Sequence, residues 1–377
     1  MEIRPIQFAI PDFEKISDGE FFFNKLKENF PEFYSKGYFI QQKNPGILLY
    51  RICAKDRNYH GILVGVNIEE YLTGNIKKHE NTLITQEELM IALTQERDAI
   101  IKPVLITYAP DTEIKEILQL HIDPNLLLFR IWFEKAQQMH EFYLMPDELM
   151  QCKMMDLFRL KINDAYIADG HHRMAAMSDI LEARPQLIDQ GLHFILSAWF
   201  DFDELSILSY NRIIDIGADL NEIEFLELLQ KYGKLKKSKD DHLPKNKYEL
   251  VVVFQKEIYI LNWHESLVQG MKKKNGIAFD VDLFNDCILK DGLHIIDVRR
   301  DPRIKYVEGV KGLKSVLKHT DINPQLAGFI FFPIHHDEFK DTADRAKILP
   351  PKSTWFEPRI RNGLIVQEFR SSKDQDL

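Results

Sequence analysis

The segment DGHHR, residues 169–173, combines residue types that bind anions at the point where a predicted strand ends and a predicted helix begins. The first amides of a helix have no partner within the helix, and together with the helix dipole they attract negative charge. Gly170 lets an anion approach the backbone closely, and Arg173 can add a bidentate contact to a phosphate. With His171 and His172 between them, these residues predict a phosphate-binding turn, which we call the DGHHR turn.

The same turn also raises the question of a metal ion. Asp169 could hold Mg²⁺ or orient a histidine. A metal site built on both His171 and His172 is disfavoured, because adjacent helical positions diverge by about 100°. The competing interpretation is a capped helix start with both histidines on the surface. Polar residues placed between a buried strand and an apolar helix favour a functional turn.

A second polar segment, KKHENT at residues 77–82, follows a Gly-Asn turn, and we call it the HENT loop. It brings a histidine, a carboxylate, an amide and a hydroxyl into one short stretch. Glu80 is a candidate general base for a hydroxyl nucleophile, and His79 is a candidate contact to substrate or phosphate. The alternative is a charged surface loop without a catalytic role.

A third segment, PPKSTWFEP at residues 350–358, has the composition of a ligand contact. Lys352, Ser353 and Thr354 suit a phosphate or an acidic substrate group. The prolines restrict the backbone, so little entropy remains to be lost on binding. We expect the tail to fold back and bring Lys352 to a cleft between the DGHHR turn and the HENT loop. The alternative is a docked segment whose two aromatic residues lie in the core.

Regular elements must position these segments. DAYIAD, residues 164–169, is typical of a short strand, and HHRMAAMSDILEA, residues 171–183, of a helix. The apolar stripe of that helix consists of Met174, Met177, Ile180 and Leu181. A further helix is predicted over residues 85–98, with Thr85 as N-cap and Glu88 completing a capping box.

Strands are predicted at KPVLITYA and HFILSAWF, and a hairpin at FRIWFE and HEFYLM. Strands and helices alternate without a strict βαβ rhythm, which favours the α+β class over a doubly wound sheet.

Length and charge limit the possible functions. The 377 residues favour two domains. A formal net charge of −9 argues against a nucleic-acid partner, because a protein that binds nucleic acid usually has a basic face.

The cysteines and the apolar runs indicate the compartment. Three separated cysteines suggest neither a disulfide framework nor a zinc-thiolate site and fit a reducing compartment. With no signal layout and no run of about 18 apolar residues, we expect a cytoplasmic protein without a membrane partner. The final residues SSKDQDL are expected to be disordered, and the oligomeric state stays open.

Several segments, taken in order, resemble the landmarks of a bacterial and archaeal family known as domain of unknown function 1015. They are IRP, GILVGVNIEEYLTGNIKKHENT, PVLITY, YIADGHHR, SYNRIID and ILPPKSTWFEPRIRNGL, and they extend over nearly the whole chain. YIADGHHR followed by PPKSTWFEP is the specific combination. Relatives usually carry a proline-proline-tyrosine-aspartate stretch near the amino terminus, and this chain has none. If that stretch touches substrate, the family's substrate does not carry over directly to this chain.

The turn also resembles the phosphate-binding turn of the ParB/sulfiredoxin-like superfamily, which includes ADP-dependent free-serine kinases. The resemblance implies a ParB/sulfiredoxin-like core within residues 1–215. It further implies nucleotide phosphate at Asp169–Arg173 and Glu80 as the glutamate base. Sulfiredoxins need a reactive cysteine in this turn, where this chain has Gly170 and His171, so sulfinic-acid repair is disfavoured.

The expectation is therefore an α+β protein with two domains: a ParB/sulfiredoxin-like nucleotide-binding core, residues 1–215, and an α+β domain, residues 216–377. The expected function is transfer of a phosphoryl group from ADP or ATP, with Mg²⁺, to a small hydroxyl substrate such as free serine. The residues expected to act are Glu80 and Asp169 in catalysis, Gly170, His171, His172 and Arg173 on the nucleotide, and His79, Lys352, Ser353 and Thr354 at substrate or phosphate. A nucleotide-binding regulatory switch with little turnover, and a purely structural protein, are the alternatives.

Overall fold

A computed structural model describes residues 1–189, 191–218 and 220–369 of the chain. The terminal SSKDQDL, expected to be disordered, lies outside these residues. Contacts group the chain into two compact units. The first comprises 1–206, 342–348 and 358–377, and the second 207–341 and 349–357. The expected division after residue 215 stays a prediction, because compactness alone does not establish which segments fold independently.

Strands and helices are mixed along the chain. The strands are β1 (Ile3–Arg4), β2 (Ala9–Pro11), β3 (Phe39–Gln41), β4 (Leu48–Cys53), β5 (Asn58–Asn67), β6 (Ile76–Lys77), β7 (Ala99–Ile100), β8 (Val104–Tyr108), β9 (Leu127–Phe133), β10 (Gln138–Leu144), β11 (Ala165–Asp169), β12 (Phe194–Asp201), β13 (Ser206–Leu208), β14 (Asn211–Asp215), β15 (Gly233–Lys237), β16 (Glu249–Phe254), β17 (Glu257–Trp263), β18 (Ile304–Val307), β19 (Leu326–Phe331), β20 (Trp355–Glu357) and β21 (Gln367–Glu368).

The helices follow the same order. They are α1 (Gly19–Ser35), α2 (Glu69–Leu72), α3 (Ile84–Arg97), α4 (Thr112–Leu120), α5 (Glu148–Lys161), α6 (His171–Ala183), α7 (Gln186–Asp189), α8 (Glu222–Tyr232), α9 (Glu265–Asn275), α10 (Asp280–Leu283), α11 (Gly312–Thr320) and α12 (His336–Asp344), with a π-helical segment at Phe284–Gly292. The expected α+β class is confirmed in this mixed architecture.

The first unit is built on a mixed sheet in the order β6-β11-β8-β12-β5-β4-β10-β9, with β1 paired to β5. Strand β12 lies near its centre and every residue of FILSAWFD is buried, which explains the continuous apolar run in the sequence. The predicted hairpin is confirmed as the antiparallel pair β9 and β10. Strand β6 runs parallel to β11, with Ile76 opposite Ala165. Segments that follow these two strands therefore leave the sheet at the same edge.

Helix α6 follows β11 and buries the predicted apolar stripe. Its buried residues include Met174, Met177, Ile180 and Leu181, as the spacing of these side chains predicts. Helix α3 also forms, but the predicted capping box is wrong. The helix begins at Ile84 with Leu83 as N-cap and no side-chain cap, so Thr85 lies inside its first turn.

The second unit contains an antiparallel sheet in the order β15-β17-β16-β19-β14-β18. Along β16, Leu250, Val252 and Phe254 belong to one hydrophobic cluster, whereas Val251 and Val253 belong to another. Alternate residues of a strand point to opposite faces. Both faces of this sheet are therefore covered, and the strand is apolar throughout.

Among the residues that the structure describes, no helix is both long enough and apolar enough to cross a bilayer.

A buried carboxyl in the second unit makes its stability depend on pH. Asp280 accepts hydrogen bonds from the Trp263 indole at 3.0 Å and from the Tyr248 amide at 3.2 Å. Burial raises the pKa of Asp280 to about 6, although these two donors oppose the shift. A folded-state pKa above the unfolded value means that the contribution to stability is fully present below about pH 4 and is lost as the pH rises through 6.

We expect Asp280→Asn to remove this contribution. The difference in unfolding free energy between wild type and variant should change by at most about 3 kcal/mol between about pH 4 and about pH 8. Urea unfolding across that range measures it. A pH-independent difference would contradict the assignment.

Candidate functional site

Glycine is required at the centre of the DGHHR turn. Strand β11 ends at Asp169, and α6 starts at His171. Between them Gly170 has a φ of 109°, which residues with a side chain rarely adopt. A Cβ atom there would lie 2.6 Å from a guanidinium nitrogen of Arg173. The Gly170 carbonyl accepts the amides of Arg173 and Met174, each at 3.0 Å, so the Arg173 amide is already used within the helix.

The carboxylate of Asp169 is surrounded by three cations. It accepts from the Lys102 ammonium at 2.8 Å and from the Arg173 guanidinium at 2.9 Å. A guanidinium nitrogen of Arg359 lies 3.7 Å from its other oxygen. Burial by itself raises the pKa of Asp169, but the three cations outweigh burial and hold this pKa well below its usual range.

This environment changes the roles expected of Asp169 and Arg173. A Mg²⁺ ion at Asp169 does not fit, because three cationic side chains already occupy the space around the carboxylate. Arg173 also donates to the backbone carbonyls of Lys102 and Pro103. Its guanidinium therefore braces the turn against the segment that precedes β8.

The local charge favours an anion. Burial lowers the pKa of Lys102 to about 8, while Asp169 opposes the shift. Lys102 is thus mostly protonated at pH 7. One carboxylate facing three cations leaves an excess of positive charge next to the N-terminus of α6. The helix dipole adds to this excess.

Beside the turn, two histidines and a glutamate form a second cluster. Ligand atoms of His79, Glu80 and His171 all lie within 4.8 Å of one another. The rings of His79 and His171 meet edge to face, with 4.5 Å between their centroids. Both rings are buried, at 2% and 6% exposure, so the surface position considered for His171 is wrong. The surface position considered for His172 agrees better with the structure, because that residue is only partly buried.

Burial sets the protonation of these histidines. It is the main reason that the pKa of His79 is well below its usual range and that the pKa of His171 is about 3. A neighbouring histidine lowers each pKa further, and a hydrogen bond with the backbone of Ile167 partly opposes the shift in His79. Both rings are therefore neutral at pH 7. A neutral imidazole presents a lone pair that can accept a proton or bind a metal.

The polar run Lys352–Thr354 of PPKSTWFEP belongs to the second unit. Lys352 is exposed, with its ammonium 5.1 Å from the centre of the Tyr210 ring. Ser353 is 3% exposed and donates to the carbonyl of Pro350, and Thr354 is partly buried. That these residues meet the nucleotide or substrate stays a prediction.

The aromatic residues of this segment differ from each other in burial. Phe356 is 2% exposed, whereas Trp355 is only partly buried and donates its indole N–H to Glu357 at 2.7 Å. Phe356 is thus the apolar anchor.

Lys102 and Arg359 are missing from the residues predicted to form the site. Lys102 comes immediately before PVLITY, and Arg359 lies in the landmark that contains PPKSTWFEP. The sequence signal for both residues is a positive charge inside or next to a family landmark. This signal does not identify them as site residues, because the charge of a residue does not indicate which partner it meets in the fold.

We expect Gly170→Ala to destabilise the first unit by roughly 1–3 kcal/mol, since it imposes backbone strain and displaces Arg173. Urea unfolding measures this effect. Gly270→Ala in helix α9 is a matched control, because a Cβ atom there meets nothing within 4 Å. Equal stability changes in the two variants would contradict a special requirement at position 170.

Solved structures give only distant similarities. SbnI with C-terminal truncation from Staphylococcus aureus is 13% identical, with 80% of this chain and 87% of that chain covered and a TM-score of 0.39. A mutant free serine kinase in complex with ADP is 16% identical, with 81% and 90% covered and a TM-score of 0.36. A conserved hypothetical protein from Pyrococcus furiosus is 14% identical, with 81% and 95% covered and a TM-score of 0.35. TM-scores below 0.5 establish neither the fold nor the activity of this chain.

Sequence comparison is more specific. No curated protein matches the chain. The profile of the family described as "Protein of unknown function (DUF1015)" matches residues 6–282, which is more than half of the chain. The expected family is thereby confirmed, and the chain belongs to DUF1015.

Proposed function

We propose that this chain is a nucleotide-dependent phosphotransferase, a small-molecule kinase that acts on a hydroxyl substrate. The observation that carries the proposal is the excess of positive charge at the DGHHR turn, where Lys102, Arg173 and Arg359 face the single carboxylate of Asp169. Phosphoryl transfer depends mainly on positioning and charge stabilisation, and such a site supplies both. The resemblance of the turn to that of free-serine kinases supports ADP or ATP as donor and free serine as a candidate acceptor.

Glu80 is the proposed general base. A ligand atom of His171, the first residue of α6, lies within 4.8 Å of the Glu80 carboxylate. A base must come within hydrogen-bond reach of the proton that it removes, and this proximity to the turn supports such a role. Glu80 takes the proton of the acceptor hydroxyl while the hydroxyl oxygen attacks the terminal phosphorus. The bond from that phosphorus to the nucleotide then breaks, which leaves AMP from ADP or ADP from ATP.

The remaining site residues have simpler proposed roles. Gly170, His171 and His172 line the turn near the phosphates, and Lys352 offers a mobile charge to phosphate or substrate. A Mg²⁺ ion would be carried by the nucleotide phosphates, since Asp169 does not accommodate it. A ParB/sulfiredoxin-like core in residues 1–215 is part of the same proposal and rests on the resemblance of the turn.

One observation favours a regulatory switch as the second candidate. Lys102 and Arg173 are already paired with Asp169, so a bound phosphate would compete with that carboxylate for them. Such competition would rearrange the turn, and a nucleotide-dependent conformational change needs no turnover.

Glu80→Gln separates the two candidates. For a kinase we expect kcat to fall by about 10²–10⁴-fold while the affinity for ADP changes little, because a general base acts mainly on the chemical step. Transfer from labelled ADP or ATP to serine and other small alcohols measures turnover, and calorimetry with and without Mg²⁺ measures binding. Glu88→Gln is the matched control, since Glu88 is exposed on helix α3. Binding without turnover in the wild type would favour the switch, and no nucleotide binding would reject both.

Lys352→Ala tests the tail. Lys352 is exposed, so its loss should leave the melting temperature nearly unchanged while weakening nucleotide or acceptor binding by about tenfold. Lys273→Ala removes a similarly exposed ammonium from helix α9 and should change neither. Equal affinities of Lys352→Ala and the wild type would remove Lys352 from the site.

A further inference from the structure

The cluster of His79, Glu80 and His171 has the composition of a metal site that the nucleotide chemistry does not require. The parallel pairing of β6 and β11 brings its members together, because the HENT loop and the DGHHR turn both leave the sheet where these strands end. One imidazole and one carboxylate come from the loop, and the other imidazole comes from the first residue of α6. Two histidines with one carboxylate form a common donor set for transition metals in proteins.

The geometry favours the two histidines as ligands. Both side chains are buried, and the centroids of their rings lie 4.5 Å apart. The backbone of Ile167 forms a hydrogen bond with the His79 ring, the kind of contact that orients a metal-binding histidine through its other nitrogen. The Nε2 atom of His171 is buried and has no hydrogen-bond partner among the described residues.

The surroundings determine which ions suit the cluster. The neighbouring Asp169 is surrounded by the cations Lys102, Arg173 and Arg359, so the local charge opposes a further cation. The N-terminus of α6 opposes a cation as well. Mg²⁺ and Ca²⁺ depend on negatively charged oxygen ligands and are therefore disfavoured. Zn²⁺, Co²⁺ and Ni²⁺ form strong bonds to imidazole nitrogen and are less dependent on a negative field.

The distances require a modest closure. Three ligand atoms at about 2.1 Å from an ion in tetrahedral geometry are roughly 3.4 Å apart. The atoms of the cluster are separated by up to 4.8 Å. Glu80 is partly exposed, and no hydrogen bond or ion pair holds its carboxylate among the described residues, so rotation of this side chain can supply the approach.

We propose that His79, Glu80 and His171 bind one divalent transition-metal ion of the Zn²⁺ class, with further positions left for water or a substrate oxygen. This site differs from the Mg²⁺ considered with the nucleotide, and it stands whether or not the chain transfers phosphate. Glu80 cannot bind the ion and act as a free base at the same time. The general-base role of Glu80 therefore belongs to the metal-free protein, and a bound ion would instead supply acidification of a coordinated hydroxyl.

Titration of the metal-free full-length protein with Co²⁺, followed by visible absorption, tests the proposal. We expect one equivalent to bind with the d–d bands of a four- or five-coordinate ion, and Zn²⁺ to abolish these bands by competition. His171→Asn and Glu80→Gln should each weaken Co²⁺ binding by at least about tenfold, because each removes one ligand. His172→Asn is the matched control at the adjacent position and should bind Co²⁺ like the wild type.

A further variant keeps the result independent of folding and of the kinase proposal. His79→Gln should lose Co²⁺ binding while its circular dichroism spectrum and a cooperative urea transition show that it remains folded. A folded His79→Gln variant that binds Co²⁺ like the wild type would overturn the assignment. So would the absence of stoichiometric Co²⁺ or Zn²⁺ binding near neutral pH, or equal binding by wild type and Glu80→Gln, because the histidines would then be a packed neutral pair. An inactive wild type that still binds Co²⁺ would refute only the kinase.

Discussion

The ion cluster around Asp169 is the interaction on which the site depends. Lys102 comes from the segment before β8, Arg173 from the first turn of α6, and Arg359 from the carboxyl-terminal part of the first unit. One partly buried carboxylate thus joins three distant parts of the chain. Removing the carboxylate would leave three cations facing one another, and an uncompensated buried charge is strongly destabilising. The same imbalance that makes the carboxylate necessary creates the attraction for an anion.

Backbone geometry places a second chemistry beside the first. Gly170 permits a turn with a φ of 109°, so α6 can start directly after β11 and present His171 to the HENT loop. The parallel neighbour β6 delivers His79 and Glu80 to the same edge of the sheet. Two short strands are thereby sufficient to align a basic turn with a cluster of neutral imidazoles and a carboxylate.

The two clusters would select the proposed ligands by different physical means. Around Asp169 the selection is by charge, since long cationic side chains attract an oxyanion without a fixed bond geometry. Around His79 and His171 the selection is by coordination, since neutral rings bind through lone pairs. His171 lies at the boundary: its backbone belongs to the turn, and its ring belongs to the metal-type cluster. The two proposed ligands, a phosphate and a transition metal, would therefore bind to different sets of side chains.

The sequence by itself determined the local elements: the strand that ends at Asp169, the glycine that follows, the helix with its apolar stripe, and the family landmarks. Hydrophobic period and turn chemistry are local properties, so adjacent residues suffice to reveal them. Only the tertiary structure decided that Lys102 and Arg359 surround Asp169, that His171 is buried, and that its ring meets His79. The helix cap expected at Thr85 is wrong because the helix begins one residue earlier, at Ile84. Electrostatic partners and burial arise from segments that are far apart in the chain, and no local pattern encodes which of them meet.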